Sequence, residues 1–166
     1  KRGWNHGNGE WTQMTLKQRI EAIEKLVQEL MSSRDRIIHV LMHEIGKNQK
    51  DATAEFDRTI DFIRKTIETV QTQSLLDIGD INRSGSQSFQ KISSSHVMIR
   101  RNGFGIILAL GPYNYPLNET YATIIPALLM GNVVILKIPQ VGGLAHLLTF
   151  QAFSNALPPN TVSFIS

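Results

Sequence analysis

The sequence predicts an α/β fold, in which a helical amino-terminal part precedes the first strands of a parallel sheet. Three features carry that expectation. Apolar residues recur every three to four positions in the first half. The second half alternates short apolar runs with helix-length segments. Gly, Asn and Pro stand at the joints. A length of 166 residues, 42% of them apolar, suits one domain with a buried core.

Thr15 and Gln18 make a capping box, in which each side chain takes up the other's free backbone donor. Leu16, Ile20, Ile23, Val27 and Leu30 then form one apolar helical stripe. A second helix runs from Asp35 through Ile45 and stops at Gly46, which suits the left-handed position after a helix end. A third begins near Asp51 and carries Phe56, Ile60, Ile63, Ile67 and Val70 on one face. These helices read as a cover for another layer, not as an independent bundle. The stretch SLLDIGDINRSGSQSFQ then reads as a connection with a turn near Gly85. From Gln90 to Arg101, alternations such as SHVMIRR suggest a strand with one wet face.

GIILAL is a short, continuous apolar run. A helix over Asn118 to Met130 follows, kinked by Pro126 and stopped by Gly131 and Asn132. VVILKI is the next run, and a helix from about Gly143 to Ala156 leads to a turn at Pro158, Pro159 and Asn160. TVSFI is a third run. This spacing predicts right-handed βαβαβ, with a parallel sheet buried on both faces.

Composition narrows the function. The balance of 17 basic to 14 acidic residues gives a net charge of only +3, without a basic cluster, which argues against nucleic-acid binding. No segment has the length of apolar sequence needed to span a membrane, and KRGWNHGNGEWTQ leads into no signal-like apolar region. With no cysteine, the chain holds no disulfide, thiolate metal site or cysteine nucleophile. A soluble, cytoplasmic protein fits. Both ends look cut, since the chain opens without Met and stops after VSFIS, so it reads as a piece of a longer protein.

Ligands gather at the carboxyl ends of strands in an open parallel sheet. Those ends are Gly111 to Tyr115, Lys137 to Gln140, and Ser166. Asn114, in GPYNYPLNE, has two readings. Its amide, held between prolines, can be an oxyanion donor, or it can satisfy backbone in a tight turn. Composition alone favours the turn. Lys137 can meet a ligand phosphate or ribose, or mark the exit of a strand into water. Arg58 falls opposite the Phe56–Val70 stripe, which reads as solvated surface or as a wall of a cleft. The five histidines are dispersed, so no metal site is expected. Neither GxGxxG nor a P-loop is present.

Together these stretches resemble the aldehyde dehydrogenase superfamily over almost the whole chain. The resemblance rests on the RR-x-x-x-G lead-in, GPYNYPLN, the helix ending PALLMGN and the strand VVILK. Within the superfamily, EIGK, EFDRT and NYPLNETYATIIPALLMGN are most similar to the NADP-dependent, non-phosphorylating glyceraldehyde-3-phosphate dehydrogenases. Those enzymes oxidise the aldehyde to 3-phosphoglycerate. The alternatives are an aldehyde dehydrogenase for another aldehyde, or a truncated non-catalytic relative serving as an interaction subunit.

The resemblance implies a Rossmann-like sheet begun at residues 104–166. Before it come a helical segment over 1–83 and, over 84–103, a linker with an antiparallel oligomerisation arm. It implies a homodimer or homotetramer. It makes Asn114 the oxyanion donor, puts Tyr115 and Arg58 near the substrate, with Arg58 on its phosphate, and assigns Gly111, Lys137 and Gln140 to the cofactor. NAD-preferring members usually carry Glu where this chain has Gln140. An amide does not repel a 2′-phosphate and Lys137 attracts it, so NADP is expected over NAD. Ile138 replaces the family's usual Pro and is expected to loosen that turn. The family's nucleophilic cysteine and general-base glutamate fall beyond the position matching Ser166. The implied mechanism is thiolate attack, hydride transfer and thioester hydrolysis.

Overall fold

The computed structural model describes residues 2–82, 91–92, 95–96 and 102–166, with side chains over 2–72 and 102–166. A 3-10 turn at Asn5–Gly7 leads into a short helix, α1 (Glu10–Gln13), which the sequence pattern did not reveal. Its Trp11 is 1% exposed.

The capping box forms as expected: Gln18 N–H donates to Thr15 Oγ1 at 3.2 Å, and Thr15 N–H to Gln18 Oε1 at 2.8 Å. It opens α2 (Leu16–Ser32), which buries Ile20, Ile23, Leu26, Val27 and Leu30. Helix α3 (Arg34–Ile45) stops at Gly46, whose φ of 69° is left-handed. Helix α4 (Gln49–Asn82) starts slightly before Asp51, because Asn48 Oδ1 accepts the Asp51 N–H at 2.8 Å. It buries Phe56, Ile60, Ile63 and Ile67.

Two expectations need correction here. Helix α4 runs on to Asn82, through the first half of the stretch read as a connection. A lone glycine such as Gly79 costs about 1 kcal/mol, too little to stop a helix already propagating. The turn near Gly85 lies outside the described residues. In place of one strand over Gln90 to Arg101, two short strands, β1 (Lys91–Ile92) and β2 (Ser95–His96), pair antiparallel. The remainder of that expected strand also lies outside the described residues.

The predicted sheet is present. β3 (Ile106–Leu110), β4 (Val133–Lys137) and β5 (Val162–Ile165) are parallel and ordered β3-β4-β5. Helices α5 (Asn118–Leu129) and α6 (Gly143–Ala156) connect them, close to the predicted bounds. Within this chain, one face of the sheet is covered. Ala109, Val134 and Leu136 are covered, whereas Ile106, Leu108 and Leu110 are 40%, 59% and 70% exposed. Strands added in one direction by crossovers of one hand put both helices on the same face. Phe150 and Phe153 of α6 accordingly pack on Phe164 beside α5's contacts with β3 and β4.

The amino-terminal helices do cover this layer, and they grip both crossover helices at both ends. At the carboxyl end of α5, Trp11 Nε1 donates to Leu128 O at 3.1 Å and Arg19 Nε to Leu129 O at 2.9 Å. At that of α6, Lys25 Nζ donates to Asn155 O at 2.6 Å. Cationic donors suit the negative end of a helix dipole. Asn132 Oδ1 accepts the Gly105 N–H at 2.9 Å and Asn132 Nδ2 donates to Ala127 O at 2.9 Å, locking β3 to the end of α5.

Candidate functional site

β3 leaves the sheet at Leu110, and the Gly111 N–H continues the ladder by donating to Lys137 O at 3.1 Å. The close approach favours glycine. A Cβ at 111 would stand 3.0 Å from both Pro139 Cδ and Thr120 Oγ1, and 3.4 Å from His146 Nε2. Beyond it, Tyr113, Asn114 and Tyr115 are exposed and Pro116 and Leu117 are buried, so Asn114 sits at the tip of an anchored turn.

That anchor comes from α4. Glu55, 1% exposed, accepts the Leu117 N–H at 3.0 Å and the Asn118 N–H at 3.4 Å through Oε1. Its Oε2 pairs with Lys47 Nζ. The same ammonium lies 3.8 Å from the centroid of the Tyr115 ring, a cation–π contact. Arg58 is exposed one helical turn beyond Glu55.

His146 of α6 is fully buried under this turn, and neither ring nitrogen meets an aligned hydrogen-bond partner. Burial pushes its pKa down to about 4, and the Pro116 carbonyl offsets only part of that effect.

The second turn follows β4. The Ile138 N–H donates to Ile165 O at 2.9 Å. Proline could not make that bond, so Ile138 ties the turn where loosening was expected. Gly142, at φ 90°, packs on the first turn, since a Cβ there would lie 3.0 Å from Pro116 Cβ. Helix α6 gains its amino-terminal cap from α3: Glu44 accepts the Leu144 N–H at 3.0 and 3.1 Å through its two oxygens. Glu44, Lys137, Ile138, Pro139, Gln140, Gly143, Leu144, Leu147 and Ser166 line a cleft of about 450 Å³.

Lys137 and Gln140 therefore share one cleft, and the backbone bond at Gly111 joins that cleft to the Asn114 turn. Asn114, Tyr115 and Arg58 are not among the residues lining it. Three residues escaped a structural assignment from sequence. Glu44 and Glu55 are acidic residues on helices, and their partners lie 100 and 62 positions away. His146 had a signal, a lone imidazole inside the apolar helix GLAHLLTFQAF.

An exposed amide and an ammonium stand at adjacent strand ends beside a largely apolar cleft, at the carboxyl edge of a parallel sheet, which is where ligands gather in α/β proteins of this kind. Residues 5–166 match the aldehyde dehydrogenase family, and the chain belongs to that family. It is 34% identical over 158 residues to the NADP-dependent glyceraldehyde-3-phosphate dehydrogenase of Streptococcus equinus, a match covering 94% of this chain and 32% of that one. The enzyme of the same name from Nicotiana plumbaginifolia is 30% identical, with 94% and 31% covered. Among solved structures, the NADP-dependent glyceraldehyde-3-phosphate dehydrogenase of Bacillus halodurans complexed with NADP superposes with a TM-score of 0.78 at 25% identity. That match covers 99% of this chain and 33% of the other. The chain thus spans about a third of the length of these relatives.

Proposed function

We propose that this chain is the amino-terminal part of an NADP-dependent aldehyde dehydrogenase that oxidises glyceraldehyde 3-phosphate to 3-phosphoglycerate. The observation that carries the reading is the bond from the Gly111 N–H to Lys137 O, because it joins the Asn114 turn to the Lys137–Gln140 cleft. A turn that presents a side-chain amide beside a cofactor cleft suits the oxyanion formed when a nucleophile adds to a bound aldehyde, whose collapse would release a hydride to the cofactor.

The residues present fit the dinucleotide. Lys137 offers an ammonium and Gln140 a neutral amide, and the Glu44 carboxylate that also lines the cleft is taken up by the amides that start α6. Lys137 and Gln140 would hold the adenosine ribose and its 2′-phosphate, with Gly111 in the backbone turn towards the nicotinamide. When bound, the cofactor supplies a hydride acceptor. Asn114 donates a hydrogen bond to the aldehyde oxygen as negative charge builds on it, which favours the transition state over the ground state. Tyr115 lines the substrate side, and Arg58 meets the substrate phosphate with paired N–H groups. Assembly as a homodimer or homotetramer, in the cytoplasm, belongs to the same reading.

Steady-state kinetics on the intact protein test it. Glyceraldehyde 3-phosphate should reduce NADP in preference to NAD. Arg58→Ala should raise KM for that substrate by about tenfold or more while sparing unphosphorylated aldehydes, as loss of a charge-assisted contact requires. Equal effects of Arg58→Ala on both kinds of aldehyde would assign the protein to a different substrate.

A further inference from the structure

We infer that Glu55, held in place by Lys47, is a positioning residue that aims the Asn114 turn. The inference rests on the reading of Asn114 as the oxyanion donor. Helix α5 begins at Asn118, and its N-cap residue, Leu117, makes no side-chain cap. The first amides of a helix have no partner within it. Glu55 supplies that partner from another element, taking Leu117 N–H at 3.0 Å and Asn118 N–H at 3.4 Å.

The Glu55 side chain has no exposed surface, and that of Lys47 is 13% exposed. Both charges have left bulk water, and a pair so placed adds little net stability compared with apolar residues of the same volume. Its second contacts account better for its presence. One carboxylate oxygen is committed to the backbone of the turn, and the ammonium is committed to the face of Tyr115, 3.8 Å from the ring centroid. Residues 115, 117 and 118 are thereby gripped immediately after Asn114. On the other flank, Gly111 is gripped by the Lys137 carbonyl. Pro112 and Pro116 fix φ at two further positions. The exposed amide is left as the free point of a frame fixed on both sides.

A displacement of about 1 Å in a catalytic donor can cost on the order of 100-fold in rate, so this frame should register in kcat. A double-mutant cycle on the intact enzyme separates aiming from mere stabilisation. Glu55→Gln keeps the shape and one acceptor oxygen but breaks the charge pair. It should lower kcat by roughly ten- to 100-fold with KM for NADP little changed. In an Asn114→Ala background the same change should cost less than about twofold, because the donor it aims is gone. Lys47→Met, which keeps the apolar stem, should act in the same direction and provides a second variant if Glu55→Gln folds poorly.

An unchanged kcat in Glu55→Gln and Lys47→Met, or an equal loss with and without Asn114, would make the pair a structural one and overturn the inference. A different pattern marks failure of the underlying reading. There Asn114→Ala alone keeps wild-type kcat, and the aiming role falls with the donor.

Discussion

At the start of α5 a carboxylate from α4 takes the free amides, and at the start of α6 a carboxylate from α3 does the same. The surroundings differ. Glu55 is sealed beneath its turn with Lys47 against it, whereas Glu44 lines the open cleft. A buried, ion-paired cap permits little movement, because any displacement leaves a charge unmet in a low-dielectric interior. A cap beside solvent can adjust at small cost. The rigid cap therefore stands behind the turn that would stabilise developing charge, and the adjustable one behind the turn that would receive a cofactor.

The largest expected effect separates the two caps by stability. Glu55→Ala strands the Lys47 ammonium and two helix amides, and should cost about 3–5 kcal/mol, the range for breaking one side of a buried pair. Urea denaturation of the protein gives this directly. Equal losses in Glu55→Ala and Glu44→Ala would erase the distinction between the turns.

A second difference is sensitivity to acid. His146 lies buried beneath the first turn with its pKa lowered from 6.5 to about 4. The unfolded chain therefore takes up the proton first. Its contribution is whole above pH 6.5 and is lost as pH falls towards 4, amounting to up to roughly 3 kcal/mol. The difference in urea midpoint between the protein and His146→Leu, followed from pH 7 to 4.5, should change over that window. A constant difference would remove His146 as the acid-sensitive group. The smallest effect belongs to Glu44→Ala, about 1 kcal/mol, the usual value of a helix cap.

Much of this arrangement was legible in the sequence. The bounds of β3, α5, β4, α6 and β5 follow from continuous apolar runs set between Gly, Asn and Pro, since those residues decide locally where a strand or helix ends. Asn114, Lys137 and Gln140 were legible as candidates because strand ends collect ligands in this architecture. The extension of α4 past Val70 was not, because its later sequence carries Gly79 and weak periodicity while the helix propagates from a well-packed start. The caps depend on partners 62 and 100 positions away, and no local pattern in EIGK or EFDRT encodes such a contact. Ile138 shows the reverse error: a substitution read as loosening supplies the N–H that Ile165 accepts.

The division of labour between the caps is tested most directly by kcat and the NADP dissociation constant measured side by side in Glu55→Gln and Glu44→Gln. The account predicts that Glu55→Gln lowers kcat with NADP affinity nearly unchanged. It also predicts that Glu44→Gln tightens NADP severalfold at constant kcat, because a negative charge leaves the cleft while an amide oxygen still caps Leu144. If both variants shift the same parameter, the two turns do not have separate roles.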